Sequence, residues 1–154
     1  MNTKKMFYVC CIVLLSVACK SAEKAGGKSG YGSPRVTQVL VNDQMFLIKE
    51  YSTDKTYGYT ERNPIMVGGA RQNEGPKNER RFLNALAGPA GEQISYQRLG
   101  SCCHFSTRNG AIGNSGLLDK YEITYEGLKT PIVLYINMYD SDVLKVPVGF
   151  TLRK

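Results

Sequence analysis

The sequence predicts an α+β fold: a single small domain in which a mainly antiparallel sheet packs against one short helix. Three stretches predict it. Residues 120–126 alternate apolar and polar side chains, which is the pattern of a strand with one buried face and one wet face. Residues 132–139 are apolar on both faces, as expected of a central strand. Residues 79–87 place large apolar side chains at helical spacing, so we expect one helix to cover the sheet.

The helix has recognisable ends in the sequence. Asn78 can cap its first turn, Gly88 can stop it and Pro89 cannot continue it. The side chains expected on its buried face are Phe82, Leu83 and Leu86.

The remaining strands are shorter. Residues 36–41 and 44–51 read as two strands joined by a hairpin turn at Asn42 and Asp43. Extended structure is also expected in residues 56–60, 64–67, 93–105 and 150–152. The helix and these strands together predict one globular domain over residues 34–154.

The N-terminus has the features of an export signal. Lys4 and Lys5 precede residues 6–18, a run of 13 almost wholly apolar residues. Such a run is too short to cross a bilayer, which takes about 20 residues, but it suits a secretory signal. The small residue Ala18 directly before Cys19 resembles the bacterial lipoprotein cleavage site. The sequence therefore predicts a signal peptide over residues 1–18 and a lipidated, palmitate-bearing Cys19 that binds the lipid bilayer.

A flexible tether is expected to follow the lipid. Residues 19–33 are rich in Gly, Ser, Ala and Lys. Lys20 follows the cysteine where an aspartate would favour retention in the inner membrane, so we expect the protein at the cell outer membrane. Its position on the periplasmic or the surface face stays open.

Charge and composition exclude some partners. Loss of Lys4 and Lys5 with the signal lowers the formal charge from +7 to +5. The densest basic run is Lys77, Arg80 and Arg81, which reads as a solvated helix face more readily than as a contact for anionic lipids or sugars. No nucleic-acid-binding motif occurs, so we expect no nucleic acid as a partner.

Several segments resemble one family of small uncharacterised lipoproteins of Bacteroidota. They are residues 57–69 (YGYTERNPIMVGG), 78–86 (NERRFLNAL), 98–105 (RLGSCCHF), 116–121 (GLLDKY) and 134–140 (LYINMYD). Some members carry the name 2-dehydro-3-deoxyphosphooctonate aldolase. Physical reasoning argues against that name here, because such an aldolase uses a (β/α)₈ barrel of at least about 200 residues. Its phosphorylated substrates would also be cytoplasmic, whereas this chain has the signal of an exported protein.

The cluster Cys102, Cys103 and His104 is the most reactive-looking part of the sequence. Cys10 and Cys11 leave with the signal and Cys19 takes the lipid, so Cys102 and Cys103 are the two thiols of the folded domain. A vicinal disulfide is one interpretation, and a pair of packed thiols is the other main one. A Cys102–His104 nucleophile and base would share one face of a strand, but no third orienting group is evident. Three consecutive ligands converge poorly on a metal ion, so we expect no metal and no cofactor.

Aromatic residues suggest a binding face. The candidate ligand-face residues are Tyr57, Tyr59, Arg98, His104, Tyr135 and Tyr139. The alternative interpretation is that tyrosine, here and at Tyr121 and Tyr125, simply suits strands.

These observations predict a membrane-anchored lipoprotein with a non-catalytic binding or structural role at the cell envelope, with an envelope protein or a glycan as its partner. The alternative is an enzyme, either thiol-dependent or of the aldolase type for which relatives are named.

Overall fold

A computed structural model describes residues 36–110 and 112–154 of the chain. The predicted signal peptide (residues 1–18), Cys19 and the tether (residues 19–33) lie outside the described residues. Within the described part of the chain, no helix is long and apolar enough to span a membrane.

The described residues form a single small domain of one α-helix and mostly strands, which confirms the predicted α+β class with antiparallel sheet. The helix α1 is Gly75–Asn84, preceded by a 3₁₀ turn at Ala70–Gln72. The strands are β1 (Leu40–Asn42), β2 (Met45–Phe46), β3 (Glu50–Tyr51), β4 (Ile65–Met66), β5 (Leu86–Ala87), β6 (Ser95–Ser106), β7 (Ser115–Thr124), β8 (Ile132–Asn137), β9 (Lys145–Val146) and β10 (Thr151–Leu152).

The main sheet has four strands in the order β4, β8, β7, β6. The pairings of β8 with β7 and of β7 with β6 are antiparallel, and β4 lies parallel to β8. The three longest strands are therefore neighbours, and β6 is an edge strand. They overlap the segments that the sequence predicts as strands, residues 93–105, 120–126 and 132–139, although β7 begins five residues earlier than predicted.

Three two-stranded pairs surround this sheet. The β1–β2 hairpin and the β5–β10 pair are antiparallel, whereas β3 lies parallel to β9. The hairpin turns at Asp43 and Gln44, one residue later than the sequence predicts, and its strands are shorter than predicted.

The core lies between α1 and one face of the main sheet, which we call the inner face. Phe82 and Leu83 of the helix are fully buried. The inner face meets them with apolar side chains of the two central strands, and the buried set there is Tyr121, Ile123, Leu134 and Ile136. The alternating pattern that predicted β7 is thus produced by one face packing against the helix.

The predicted helix boundaries were wrong at both ends. The helix begins at Gly75 rather than after Asn78. Pro76 suits its first turn, because a backbone N–H at that position would have no acceptor within the helix. It ends at Asn84, because Leu86 and Ala87 pair with β10. Leu86 is buried as predicted, but from a strand.

The expectation of extended structure in residues 56–60 was also wrong, because this segment is a series of turns. The Asp54 carboxylate accepts hydrogen bonds from the Thr56 backbone N–H at 2.8 Å and from Asn63 Nδ2 at 2.9 Å. Gly58 adopts φ 81°, which a residue with a side chain rarely does. A side-chain acceptor and one glycine therefore fold the segment back on itself.

Candidate functional site on the edge strand

The edge strand β6 is interrupted by two bulges. Its pairing with β7 shifts between Arg98 and Gly100 and again between Cys102 and His104, so Leu99 and Cys103 are extra residues. Gly100 adopts φ 128°. Bulges bend and twist a strand and re-aim its side chains, and they occur often at sheet edges. The reactive cysteines therefore sit at an irregular point of the sheet.

The sulfur atoms of Cys102 and Cys103 are bonded to each other in the structure, between Cα atoms 3.8 Å apart. Both residues are half-buried. Cys103 adopts the left-handed φ of 56°, which costs a residue with a side chain about 1–2 kcal/mol. The bulge residue is thus held in a conformation that an ordinary strand would not impose.

The bulge at Cys103 separates Cys102 from His104. Cys102 pairs with Leu118, whereas His104 pairs with Leu117. Neighbouring residues of a strand point to opposite faces, so the two residues also point to opposite faces of the sheet. The expectation that they share a face was wrong. His104 Nε2 forms a hydrogen bond with Ser115 Oγ instead, and the Cys102 sulfur is bonded to that of Cys103.

The face of the main sheet that points away from α1 is the outer face. On β7 it carries Gly116, Leu118 and Lys120, which alternate along the strand. Phe105 of β6 pairs with Gly116, and Tyr135 of β8 pairs with Lys120. Because directly paired residues share a face, Phe105 and Tyr135 belong to the outer face together with Cys102, the partner of Leu118.

Two aromatic rings close over Gly116. The rings of Phe105 and Tyr139 meet edge to face with their centroids 6.0 Å apart. A Cβ atom on Gly116 would lie 2.9 Å from each ring, so this position leaves no room for a side chain. The residues Cys102, Phe105, Tyr135 and Tyr139 are all half-buried, and we call them the outer patch.

The inner face next to β6 carries a polar cluster. Arg98 binds the carboxylate of Asp119 with two hydrogen bonds, both of 2.8 Å, and also donates to Ser101 Oγ at 2.7 Å. Ser101 in turn donates to Asp119 at 2.7 Å. Asp119 is buried and nearly half of the Arg98 side chain is exposed, so the cluster leads from the core to solvent. The two-pronged geometry orients Arg98 firmly.

Glu79 of α1 extends this cluster into the core, where it is fully buried. Tyr121 donates to Glu79 Oε2 at 2.8 Å, while Oε1 meets no hydrogen-bond donor among the described residues. Burial, and then the negative charge of Asp119, raise the pKa of Glu79 to about 8. A protonated Glu79 can donate a hydrogen bond to the Asp119 carboxylate, which satisfies both groups.

The structure does not bring the six candidate ligand-face residues onto one surface. Tyr57 is buried, its hydroxyl accepts from the Lys145 backbone N–H at 3.2 Å, and desolvation raises its pKa. The Tyr59 hydroxyl donates to the Val148 carbonyl. Arg98 is hydrogen-bonded to Asp119, and His104 is hydrogen-bonded to Ser115. Tyr135 lies on the outer face opposite Lys120, and Tyr139 contacts Phe105 at the end of that face.

Sequence reasoning missed Glu79, Asp119 and Phe105. Nothing in the local pattern marks Glu79, because an acidic residue on a helix is usually solvated. Asp119 directly precedes the predicted strand and pairs with Arg98 across a bulge that has no sequence signature. Phe105 follows the cysteine cluster, and its contact with Tyr139 is long-range.

The described residues contain no group of three or more His, Cys, Asp or Glu side chains that could hold a metal ion. No protein-family model, no curated protein and no solved structure matches this chain.

Proposed function

We propose that this protein is a lipid-anchored lipoprotein of the bacterial outer membrane whose domain binds an envelope glycan without catalysis. The observation that carries the binding role is the outer patch, where a half-buried disulfide and three aromatic rings share one side of the sheet. The anchoring role rests on the pattern of residues 1–19.

The composition of the outer patch favours a sugar as the ligand. Aromatic rings present flat apolar faces, and a tyrosine adds a hydroxyl that can hydrogen bond. Sugar rings offer the complementary surfaces, with apolar C–H faces and polar rims. Gly116 supports this arrangement, since the missing side chain lets two rings lie close over the strand. A rigid platform binds with little loss of side-chain entropy.

Thiol catalysis gains no support from this geometry. A thiolate nucleophile needs a free sulfur and a base within hydrogen-bond reach. Here the sulfurs are joined and His104 points to the other face. The activity of a barrel-type aldolase also gains no support, because the described residues form one α-helix and no series of strand–helix repeats.

The binding role is tested by titrating the Cys19→Ser mature chain with muropeptides and with core oligosaccharide of lipopolysaccharide, followed by NMR. We expect saturable amide shifts that centre on Phe105 and Tyr135. Tyr135→Ala should weaken binding roughly tenfold, because a lost aromatic contact is worth about 0.5–1.5 kcal/mol beyond its buried area.

Tyr51→Ala is the matched control, because Tyr51 is an exposed tyrosine on β3, outside the outer patch. It should leave the affinity unchanged. The proposal fails if neither oligosaccharide produces saturable shifts, or if Tyr51→Ala weakens binding as much as Tyr135→Ala.

A further inference from the structure

The β1–β2 hairpin exposes a concentration of apolar side chains. Of the ten large apolar side chains that are exposed among the described residues, four lie within residues 39–47. They are Val39, Leu40, Val41 and Leu47. Scattered exposed apolar residues are ordinary, but a contiguous group marks a surface that meets a partner or a membrane.

Three of these residues, at or next to the hairpin strands, are between 41 % and 57 % exposed. Val39 directly precedes β1, and Val41 is the extra residue of a bulge, because Leu40 pairs with Phe46 and Asn42 pairs with Met45. The Leu47 backbone N–H donates to the Val39 carbonyl at 2.7 Å, which places Leu47 across from Val39. Phe46, the neighbour of Leu47, points the other way and is buried. We call Val39, Val41 and Leu47 the hairpin face.

The helix holds the hairpin in place. Arg81 Nε donates to the Asp43 carbonyl at 2.9 Å, and Asn84 Nδ2 donates to the Gln44 carbonyl at 2.8 Å. Arg81 also forms an ion pair with the Asp43 carboxylate at 3.1 Å. Side chains of α1 therefore hold the turn of the hairpin, while the side chains of the hairpin face are exposed to solvent.

We infer that the hairpin face docks on the surface of the bilayer that holds the lipidated Cys19. This inference rests on the proposed function, because the lipid brings the domain to the membrane. Cys19 and Val39 are 20 residues apart, and β1 is the first strand of the described residues. A surface tethered at so short a distance meets the bilayer at high effective concentration, so a weak contact suffices.

Charge favours an anionic bilayer as the occupant. Residues 20–35 contain four basic residues against the single acid Glu23, and they are Lys20, Lys24, Lys28 and Arg35. Lys49, just after the hairpin, is exposed. Basic residues close to anionic lipid head groups add electrostatic attraction to the gain from burying apolar side chains at the interface. A second copy of this chain would offer its own basic tether and so would be less complementary.

The absence of tryptophan from the chain allows a direct test. Val41→Trp and Leu99→Trp each introduce one fluorophore, the first on the hairpin face and the second on the edge strand β6. Leu99 is a matched control because it is 47 % exposed, close to the 52 % of Val41. Each lipidated, full-length mature chain is reconstituted in vesicles of phosphatidylethanolamine and phosphatidylglycerol with brominated acyl chains.

We expect the emission of Val41→Trp to shift to the blue and to be quenched by the brominated lipid, and that of Leu99→Trp to show neither effect. Equal emission and equal quenching of the two variants would overturn the inference. So would a blue shift of Val41→Trp that grows with protein concentration in the vesicle-free Cys19→Ser background, because it would assign the hairpin face to self-association.

Flotation of the wild-type chain with the same vesicles separates the two proposals. If the wild-type chain floats but the tryptophan of Val41→Trp shows neither a blue shift nor quenching, the anchor is supported and the docking of the hairpin face is refuted. A wild-type chain that does not float loses the anchor and the docking surface together.

Discussion

Glu79 places an ionisable carboxyl group between α1 and the inner face of the main sheet. The groups that face it are Tyr121 and Asp119 from β7 and Arg98 from β6. Burying a charged carboxylate beside another would cost far more than burying a neutral acid. The neutral form, hydrogen-bonded to Tyr121 and Asp119, therefore suits the folded state at neutral pH.

This arrangement predicts a dependence of stability on pH. The folded chain keeps the Glu79 proton up to about pH 8, whereas an unperturbed carboxyl releases it near 4.5. The contribution of Glu79 is therefore complete below pH 4.5 and is lost as the pH rises to about 8, with a slope of about 1.4 kcal/mol per pH unit. Glu79→Gln stays neutral and can still donate to Asp119, so it should lack this slope.

Urea unfolding of the Cys19→Ser mature chain at several pH values between about pH 5 and about pH 9 measures the effect. The unfolding free energy of the unsubstituted Cys19→Ser chain should fall with pH relative to that of Glu79→Gln. Glu122→Gln is the control, because Glu122 lies on the same strand but on the outer face, and it should keep the parent slope. Parallel curves for the parent and Glu79→Gln would show that Glu79 is ionised in the folded state.

At the scale of elements, β6 combines two bulges with a disulfide at the edge of a sheet. A long regular edge strand invites pairing with another chain. The extra residues Leu99 and Cys103 break the row of backbone groups that such pairing needs. The disulfide holds the second bulge, since a bond between Cys102 and Cys103 restricts the backbone of both residues. The covalent bond therefore restrains β6 at its second bulge.

The disulfide is expected to persist in the purified protein. In the Cys19→Ser mature chain, Cys102 and Cys103 are the remaining thiols. An internal bond lowers the monomer mass by about 2 Da relative to the reduced form, through loss of two hydrogens. It also blocks alkylation until a reductant is added. Alkylation of both thiols in the native protein would contradict the bond, and alkylation after denaturation alone would indicate buried free thiols. A doubled mass on a non-reducing gel would indicate pairing between chains.

Local pattern predicted the two central strands of the main sheet, because β7 alternates apolar and polar residues and β8 is an apolar run. Tyr121 and Ile123 alternate with polar residues, and they do lie against the helix. Pattern alone did not predict the bulge at Cys103, which separates Cys102 from His104. It also misplaced the helix, since Asn78 is not its cap. Its Nδ2 donates to the Gly68 carbonyl at 3.1 Å and its Oδ1 accepts from Arg81. These are tertiary contacts, and residue spacing carries no signal for them.

For the whole molecule, the proposals assign different surfaces to different partners. The outer patch lies on the main sheet and is assigned to a glycan, while the hairpin face lies on a separate two-stranded sheet and is assigned to the bilayer. Both depend on the domain being held at the membrane. Lipidation of Cys19 is therefore the property on which both proposals depend.

Metabolic labelling with a clickable palmitate analogue measures this lipidation. The full-length precursor is expressed in a bacterial host that processes lipoproteins, beside Cys19→Ser and the control Cys102→Ser. Because Cys19 directly follows Ala18 at the end of the apolar run, as in a lipoprotein cleavage site, the wild type and Cys102→Ser should be labelled and Cys19→Ser should not. Equal labelling of the wild type and Cys19→Ser, or no labelling of the wild type, would show that Cys19 is not the lipidated residue.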